Sequence, residues 1–247
     1  MRLKVKPYCL QLRQALTAND KALRFNFYMA LQERIEEDDD FLDRVVFSDQ
    51  ATFHISGKVN KQNVNIWGAT NPHCYVEHVR NSPKVNVFCV ISNTKVYGPF
   101  FFHEQTVTGP TCLDMLAEWL LPQLSDDRDD CVLQQDGAPP HFHREVRVFL
   151  NQELPQRWMG CGTEGDLMLL PFPPRSPDLT PCDFFLWGYV KYQVFVPPLL
   201  VDIQEVKQHI QAAFESITAA MLTRVWEEMD YRVDVCRVTQ GAHIKRL

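Results

Sequence analysis

The sequence of 247 residues lacks several features that mark specialised classes of protein. No apolar run approaches the roughly 20 residues that cross a bilayer. The N-terminus, MRLKVKPYCLQLRQ, has no apolar core of the kind found in secretory signals. There is no internal repeat and no low-complexity tract. With an ordinary hydrophobic share of 45%, these absences predict a soluble, intracellular globular protein with no membrane partner.

The eight cysteines are scattered, and no two of them form a CxxC pair. We therefore expect free, mostly buried thiols in a reducing compartment. A zinc site has little support, because none of the usual ligand spacings is present. His141 and His143 are two residues apart, a spacing that suits joint ligation from a strand better than from a helix.

The chain also lacks the basic excess typical of nucleic-acid-binding domains, since its formal net charge is −6. Much of the acid is concentrated in two runs, EEDDD (36–40) and DDRDD (126–130), which are most simply solvated loops. Without these runs, 22 acidic side chains stand against 24 basic ones. The remaining surface can therefore offer a modest basic face.

Hydrophobic periodicity predicts an α/β protein with one mixed sheet flanked by helices. The expected helices are 19–37, capped by Asn19 or Asp20, then 111–124, 141–154, 183–195 and two amphipathic helices after residue 200. The expected strands are 43–49, 51–57, 84–92, 94–102, 131–136 and 166–172. Consecutive strands favour antiparallel pairing, whereas strands separated by helices favour parallel additions to the same sheet. A linker is expected near 36–42.

Three aspartates occupy comparable places in this layout. Asp49 closes the strand 43–49, Asp136 closes the strand 131–136, and Asp183 begins the helix after the last strand. Strand ends and a following helix start cluster at one edge of such a sheet, so the carboxylates are expected to meet there. A divalent cation relieves their mutual repulsion. All-oxygen ligation favours Mg²⁺ or Mn²⁺, and two such ions about 4 Å apart can hold both oxygens exchanged at a phosphodiester.

Each aspartate also has a local explanation that needs no metal. Asp49 suits a turn at the end of a strand, and Asp136 before Gly137 suits an Asx turn. Asp183 suits a capping box in which Thr180 is the N-cap. Each local explanation is favoured for one residue alone, whereas the combination favours the metal site.

Three motifs add a family resemblance: FSDQATFHISGKVN (47–60), QQDGAPPH (134–141) and PPRSPDLTPCDFFLWG (173–188). Together they resemble the catalytic domain of mariner-like transposases in the DDE/D superfamily, and the similarity runs from about residue 4 to the end. The resemblance implies a ribonuclease-H-like fold, in agreement with the mixed sheet. It also implies that Asp49, Asp136 and Asp183 are catalytic metal ligands, with Asp183 preferred over the nearby Asp178.

The function implied by the resemblance is metal-dependent DNA cleavage and strand transfer in cut-and-paste transposition, with two Mg²⁺ or Mn²⁺ ions as cofactors. The implied partners are DNA, as transposon ends and target, and a second copy of the chain in a homodimer; the implied location is the nucleus. His141 and Arg175 are candidate DNA contacts. Their alternatives are a histidine bonded to backbone at a helix start and a solvent-exposed arginine. The expected division is an N-terminal linker and helix (1–41), a remnant adjoining a missing DNA-binding region, and a catalytic domain (42–247).

The sequence departs from the resembled family in three respects. Asp136 and Asp183 are 47 positions apart, a longer interval than in mariner elements proper, and we expect its extra segment RWMGCGTEGD (157–166) to be a surface insertion. Gln50 replaces the Glu that many relatives carry. Helix-turn-helix modules precede the catalytic domain in the family, whereas this sequence begins near the linker. The alternative function is therefore a truncated, inactive or adopted DNA-binding or interaction domain. A housekeeping ribonuclease-H-like nuclease would share the fold but not the third motif.

Overall fold

The computed structural model describes residues 14–55, 82–196 and 200–244. They form a sheet of six strands in the order β3-β2-β1-β4-β5-β6. The strands are β1 (Val45–His54), β2 (Lys84–Ile91), β3 (Val96–Phe101), β4 (Val132–Gln134), β5 (Trp158–Gly160) and β6 (Leu170–Pro171). The first three pair antiparallel, and the parallel ladder then runs from β1 through β4 and β5 to β6. The predicted mixed sheet is confirmed.

Helices cover both faces of this sheet. They are α1 (Ala18–Glu37), α2 (Phe41–Arg44), α3 (Gly109–Met115), α4 (Leu121–Asp127), α5 (Arg144–Glu153), α6 (Trp187–Val194), α7 (Ile203–Glu215) and α8 (Ala219–Val238). Two π-helical segments (Leu116–Leu120 and Cys182–Leu186) lead into α4 and α6, respectively. Within the described ranges, no helix combines the length and apolar character needed to cross a membrane.

Side chains of the central strands alternate between two cores, one on each face of the sheet. Val87 of β2 joins the core shared with α1 and α6 to α8, whereas its neighbour Phe88 joins the core shared with α3 to α5. This alternation is the two-residue period of a strand. In β1, Phe47 and Phe53 belong to the first core. Asp49 is two residues from Phe47 and four from Phe53, so its side chain lies on the same face of the sheet, the one that meets α6.

Two predictions about strands are wrong. The segment 43–57 was expected to hold two strands, but β1 continues without a break from Val45 to His54, so Asp49 lies inside the strand. The segment 157–166 was expected to be a surface insertion, but it contributes β5, whose Trp158 is only 2% exposed. Strands of two or three residues are too short to show a period in the sequence. For the same reason the predicted strand 166–172 shrinks to β6.

Helix starts also differ from prediction where a preceding threonine provides the cap. Thr17, rather than Asn19 or Asp20, caps α1 and forms a capping box with Asp20. Thr108 caps α3 by accepting the Thr111 amide, so this helix begins at Gly109. These caps satisfy amide groups that have no partner inside the helix.

The expected linker at 36–42 is short, because α1 ends at Glu37 and α2 begins at Phe41. The domain division at residue 41 stays a prediction.

Candidate active site

Parallel pairing of β1 with β4 brings the first two aspartates to the same level. Phe47 is paired with Gln134, so the register continued by two residues sets Asp49 beside Asp136. The Ser48 hydroxyl donates to the Gln134 carbonyl at 2.6 Å and reinforces this register. Asp49 and Asp136 are 87 positions apart in the chain, so their proximity arises from the strand pairing.

The third aspartate, Asp183, is carried to the same place by the π-helical segment before α6. The Cys182 thiol donates to the Phe47 carbonyl at 3.3 Å. The indole N–H of Trp187 donates to Asp49 Oδ2 at 2.7 Å. These two contacts fix the start of the helix against β1 on either side of Asp183. Isolated π turns are common at functional sites, where they redirect side chains.

The predicted capping box at Asp183 is replaced by a different contact. The Thr180 hydroxyl donates to Asp183 Oδ2 at 2.5 Å, and the Asp183 amide donates to the Thr180 carbonyl at 3.0 Å. Thr180 makes no side-chain bond to a helix amide, and Pro181 is the residue at the cap. The hydroxyl therefore orients the carboxylate instead of closing the helix.

Neighbouring aspartate charges raise the pKa of Asp49 and of Asp183. Burial, followed by the charges of Asp183 and Asp136, raises the pKa of Asp49 well above its usual value. Loss of hydration beside the surrounding protein, with the Asp136 charge in addition, raises the pKa of Asp183 to about 6 against the opposing Thr180 bond, although part of the residue reaches solvent. Burial alone would raise the pKa of Asp136, but the hydrogen bond and charge of His141 outweigh it and lower that pKa. The group thus keeps Asp136 ionised and disfavours full ionisation of the other two.

The carboxylates remain accessible. Asp183 is exposed and Asp49 half-buried, and the Asp136 side chain is 42% exposed. All-oxygen donors, two of which have raised pKa values, suit a hard divalent cation such as Mg²⁺ or Mn²⁺. Each carboxylate is also drawn to a separate partner, namely Trp187, His141 or Thr180. No three acidic, imidazole or thiol groups in the described part of the chain are close enough together to hold a metal ion.

His141 lies behind Asp136 and not at the surface. Its ring is 3% exposed, and Nδ1 is 2.6 Å from Asp136 Oδ1. This partner is a carboxylate, not the backbone expected in the alternative interpretation. The Ala138 amide also donates to Asp136 Oδ1 at 3.0 Å, so the Asx turn expected at this aspartate is present alongside the cluster.

Arg175 and Asp178 lie in the loop before Asp183 and have ion-pair partners of their own. Arg175 is 44% exposed and pairs with Asp20 of α1. The Asp178 carboxylate accepts hydrogen bonds from both terminal nitrogens of Arg24, at 2.7 and 2.8 Å. A carboxylate held in this way is not available to the cluster, which agrees with the choice of Asp183 over Asp178. The DNA contacts proposed for His141 and Arg175 stay predictions.

Sequence reasoning missed two contributors on α6. Trp187 is a core residue, 5% exposed, but its hydrogen bond to Asp49 was not predicted. Lys191 lies one helical turn beyond Trp187, with Nζ 5.7 Å from the Phe53 ring centroid. Burial lowers the pKa of Lys191, and the charges of Asp49 and Asp183 oppose this. The spacing of four and eight residues after Asp183 was the available signal, because such residues share a helix face.

No protein-family model and no curated protein sequence matches the chain. Solved structures do match. A Mos1 transposase paired-end complex with the left transposon end superposes with a TM-score of 0.77 and 18% identity, over 98% of this chain and 68% of that one. The isolated catalytic domain of Mos1 mariner transposase gives a TM-score of 0.68 and 18% identity, over 95% and 100%.

The chain has the fold of the Mos1 catalytic domain. This confirms the predicted ribonuclease-H-like class. Further matches with this fold include Mos1 paired-end complexes with Mn and with Mg, at TM-scores of 0.76 and 0.77 and identities of 19% and 20%. They cover 99% of this chain and 69% of theirs.

Proposed function

We propose that this chain is a transposase catalytic domain that cleaves DNA phosphodiester bonds and transfers DNA strands with Mg²⁺ or Mn²⁺. One observation carries the proposal: Asp49, Asp136 and Asp183 come from three distant segments, and the charge of Asp136 raises the pKa of the other two in a surface-accessible cluster. The fold shared with Mos1 and the Mn and Mg complexes of that transposase support it.

The three carboxylates would hold the metal, as two ions, and none of them is the nucleophile. A divalent ion bound there would supply activation of a water or a DNA 3′-hydroxyl and stabilisation of the leaving oxygen. The protein's own contribution is to aim the ligands: Trp187 holds Asp49, His141 keeps Asp136 ionised, and Thr180 orients Asp183. Groups that orient metal ligands in this way tune affinity strongly.

DNA is the proposed substrate, as transposon ends and target, since complexes of Mos1 with a transposon end and a strand-transfer complex share the fold. Lys191 of α6 lies near Asp49 and Asp183, and we propose that its ammonium group contacts a DNA phosphate. A homodimer and a nuclear location follow from the same proposal and stay predictions.

Substitution of Asp136 tests the proposal. Wild-type protein and Asp136→Asn are incubated with transposon-end DNA in Mg²⁺, Mn²⁺ or EDTA, and nicked and joined products are quantified. We expect metal-dependent products from the wild type and their loss in Asp136→Asn. Asp129→Asn, in the exposed run 126–130, is the matched control and should keep full activity. Equal product yields from Asp136→Asn and the wild type would refute the proposal.

One observation supports the alternative function, a catalytically inactive domain adopted for binding. The three carboxylates have separate partners and, among the described residues, do not form a group close enough to hold an ion. Titration calorimetry with Mn²⁺ decides between the two. Binding that is lost in Asp136→Asn supports the enzyme. A folded wild type that takes up no Mn²⁺ supports a domain that binds DNA or a protein without chemistry.

A further inference from the structure

A buried ion pair joins helix α1 to the loop that leads into Asp183. Arg24 is fully buried, and its two terminal nitrogens donate to the two oxygens of Asp178 at 2.7 and 2.8 Å. Its Nε donates to the Gly241 carbonyl at 2.8 Å, and Nη1 also reaches the Ser176 hydroxyl at 2.9 Å. One guanidinium thus ties together α1, the loop 175–180 and the segment after α8. Such a planar fork matches a carboxylate in a single orientation.

A second arginine holds the same loop from the other side. Arg232 of α8 is 6% exposed, and its Nη1 donates to the Asp178 carbonyl at 2.9 Å. The Arg232 guanidinium also lies 4.1 Å from the ring centroid of Phe184, the residue after Asp183. The backbone amide of Ile244 donates to Asp178 Oδ2 at 3.1 Å. Asp178 is therefore fixed through both its side chain and its backbone.

The fixed loop determines where the Asp183 carboxylate points. Only four residues separate Asp178 from Asp183, and Leu179 and Cys182 among them are fully buried. Thr180, also buried, donates its hydroxyl to Asp183 Oδ2. Displacing Asp178 would move Thr180 and so release the carboxylate. Arg24 also neutralises Asp178, whose charge otherwise adds to the negative potential at Asp183.

We propose that Arg24 is a positioning residue for the third aspartate, so that helix α1 is a working part of the active site. Arg24 acts through Asp178 and Thr180 and does not itself touch the metal or DNA. The inference rests on the proposed function, because it assigns a role within the same metal site. It also accounts for Asp178 of the SPDL sequence, which supplies no ligand.

The test compares Arg24→Lys with a control of matched stability. Lysine keeps the charge but lacks the fork, so it cannot hold both Asp178 oxygens. Leu31→Ala removes a buried side chain from the same helix without touching the loop. Denaturant midpoints confirm that both variants are folded and similarly weakened. Mn²⁺ affinity is then measured by calorimetry, and cleavage kinetics are resolved into kcat and KM.

We expect Arg24→Lys to lose about ten-fold in Mn²⁺ affinity and a comparable factor in kcat with little change in KM for DNA, as for other groups that orient metal ligands. Leu31→Ala should retain both values. An unchanged Mn²⁺ affinity in Arg24→Lys, or an equal loss in Leu31→Ala, would overturn the positioning role. Should Arg24→Lys not fold, Asp178→Asn, which keeps the shape but weakens the pair, takes its place with the same expectations.

A readout that needs no metal separates this inference from the proposed function. The Asp183 and Phe184 amides both donate to the Thr180 carbonyl, at 3.0 and 3.1 Å, and their hydrogen exchange reports on the loop. Arg24→Lys should speed exchange at these two amides beyond the level seen in Leu31→Ala. If the wild type binds no Mn²⁺, the proposed function fails, and unchanged exchange at these amides refutes the positioning role independently.

Discussion

At the scale of single residues, the raised pKa of Asp183 makes the stability of the metal-free protein depend on pH. Its usual value is 3.8 and its value in the fold is about 6, so the folded state holds the proton more tightly than the unfolded state. Between about pH 4 and pH 6, raising the pH therefore lowers the free energy of unfolding, and above pH 6 the cost is fully present. Asp183→Asn removes this cost.

Urea denaturation in EDTA at pH 4, 5, 6, 7 and 8 checks this expectation. The stability advantage of Asp183→Asn over the wild type should grow from pH 4 to pH 6 and then level off. An advantage that is constant from pH 4, or one that shrinks with rising pH, would show that the Asp183 carboxylate is not destabilised in the fold.

Trp187 offers a second test at this scale, because its indole N–H lowers the pKa of Asp49. Trp187→Phe keeps an aromatic ring but removes the donor, so Asp49 should be more protonated at pH 7 and Mn²⁺ affinity should fall by roughly ten-fold. Trp226→Phe is the matched control, since that buried indole donates to the Leu42 carbonyl at 3.1 Å. Both variants should lose about 1 kcal/mol of stability. Calorimetry showing equal Mn²⁺ affinity in the two variants would contradict the assigned role of Trp187.

At the scale of elements, α6 carries a tryptophan donor and a lysine on the side that faces β1. Lys191→Met removes the cation that accompanies Asp49 and Asp183, so Mn²⁺ affinity should rise at pH 7 while DNA affinity falls. If Lys191 meets a phosphate, the slope of log affinity against log salt concentration should drop by about 1. Lys207→Met is the control, because Lys207 lies similarly over an aromatic ring, 5.3 Å from the Phe101 centroid, on α7. DNA titrations at several salt concentrations that give the same slope for both variants would argue against a phosphate contact.

Elements with a clear period were predicted with close bounds, whereas strand β5 and the π-helical segment before α6 were not predicted. The strand 84–92 and the helix 19–37 have many residues over which an apolar period repeats, and both appear in the structure close to the expected bounds. Strand β5 has three residues and shows no period, although Trp158 is nearly fully buried. The π-helical segment Cys182–Leu186 has a wider turn than an α-helix, so it shifts side chains away from the faces that a regular helical period predicts. Such features depend on neighbours that are remote in the chain.

At the scale of the whole molecule, the two acidic runs meet at the end of the sheet where β1 and β4 begin, whereas the aspartate cluster lies toward the other end of these strands. Arg44 pairs with Asp38 of the first run and contacts Asp130 of the second at 3.5 Å. The Arg128 guanidinium donates to the Asp43 carbonyl at 3.2 Å. Since β1 and β4 are parallel, both runs lie near the starts of these strands and the cluster lies further along. Much of the net negative charge is therefore kept away from the proposed DNA-binding edge.

This convergence predicts that salt stabilises the protein. Like charges brought together by folding repel less when screened, so raising NaCl from about 20 mM to about 500 mM should raise the free energy of unfolding. Asp39→Asn combined with Asp129→Asn removes one exposed charge from each run. This double variant should be more stable than the wild type at low salt, by about 0.5 kcal/mol, and should gain less from added salt. Denaturation curves with the same salt response in both proteins would show that the runs do not repel.

The sequence by itself determined which residues are candidates for the proposed chemistry and which segments alternate or repeat. Caps, periods and the three acidic motifs are local, and local backbone preferences act within a few residues. Tertiary structure alone decided that Asp49 stands level with Asp136, that Arg24 of α1 pairs with Asp178, and that the two acidic runs share one end of the sheet. Each of these depends on strand register or helix packing between distant segments, where the free energy comes from burying surfaces against each other. No short window of sequence contains both surfaces.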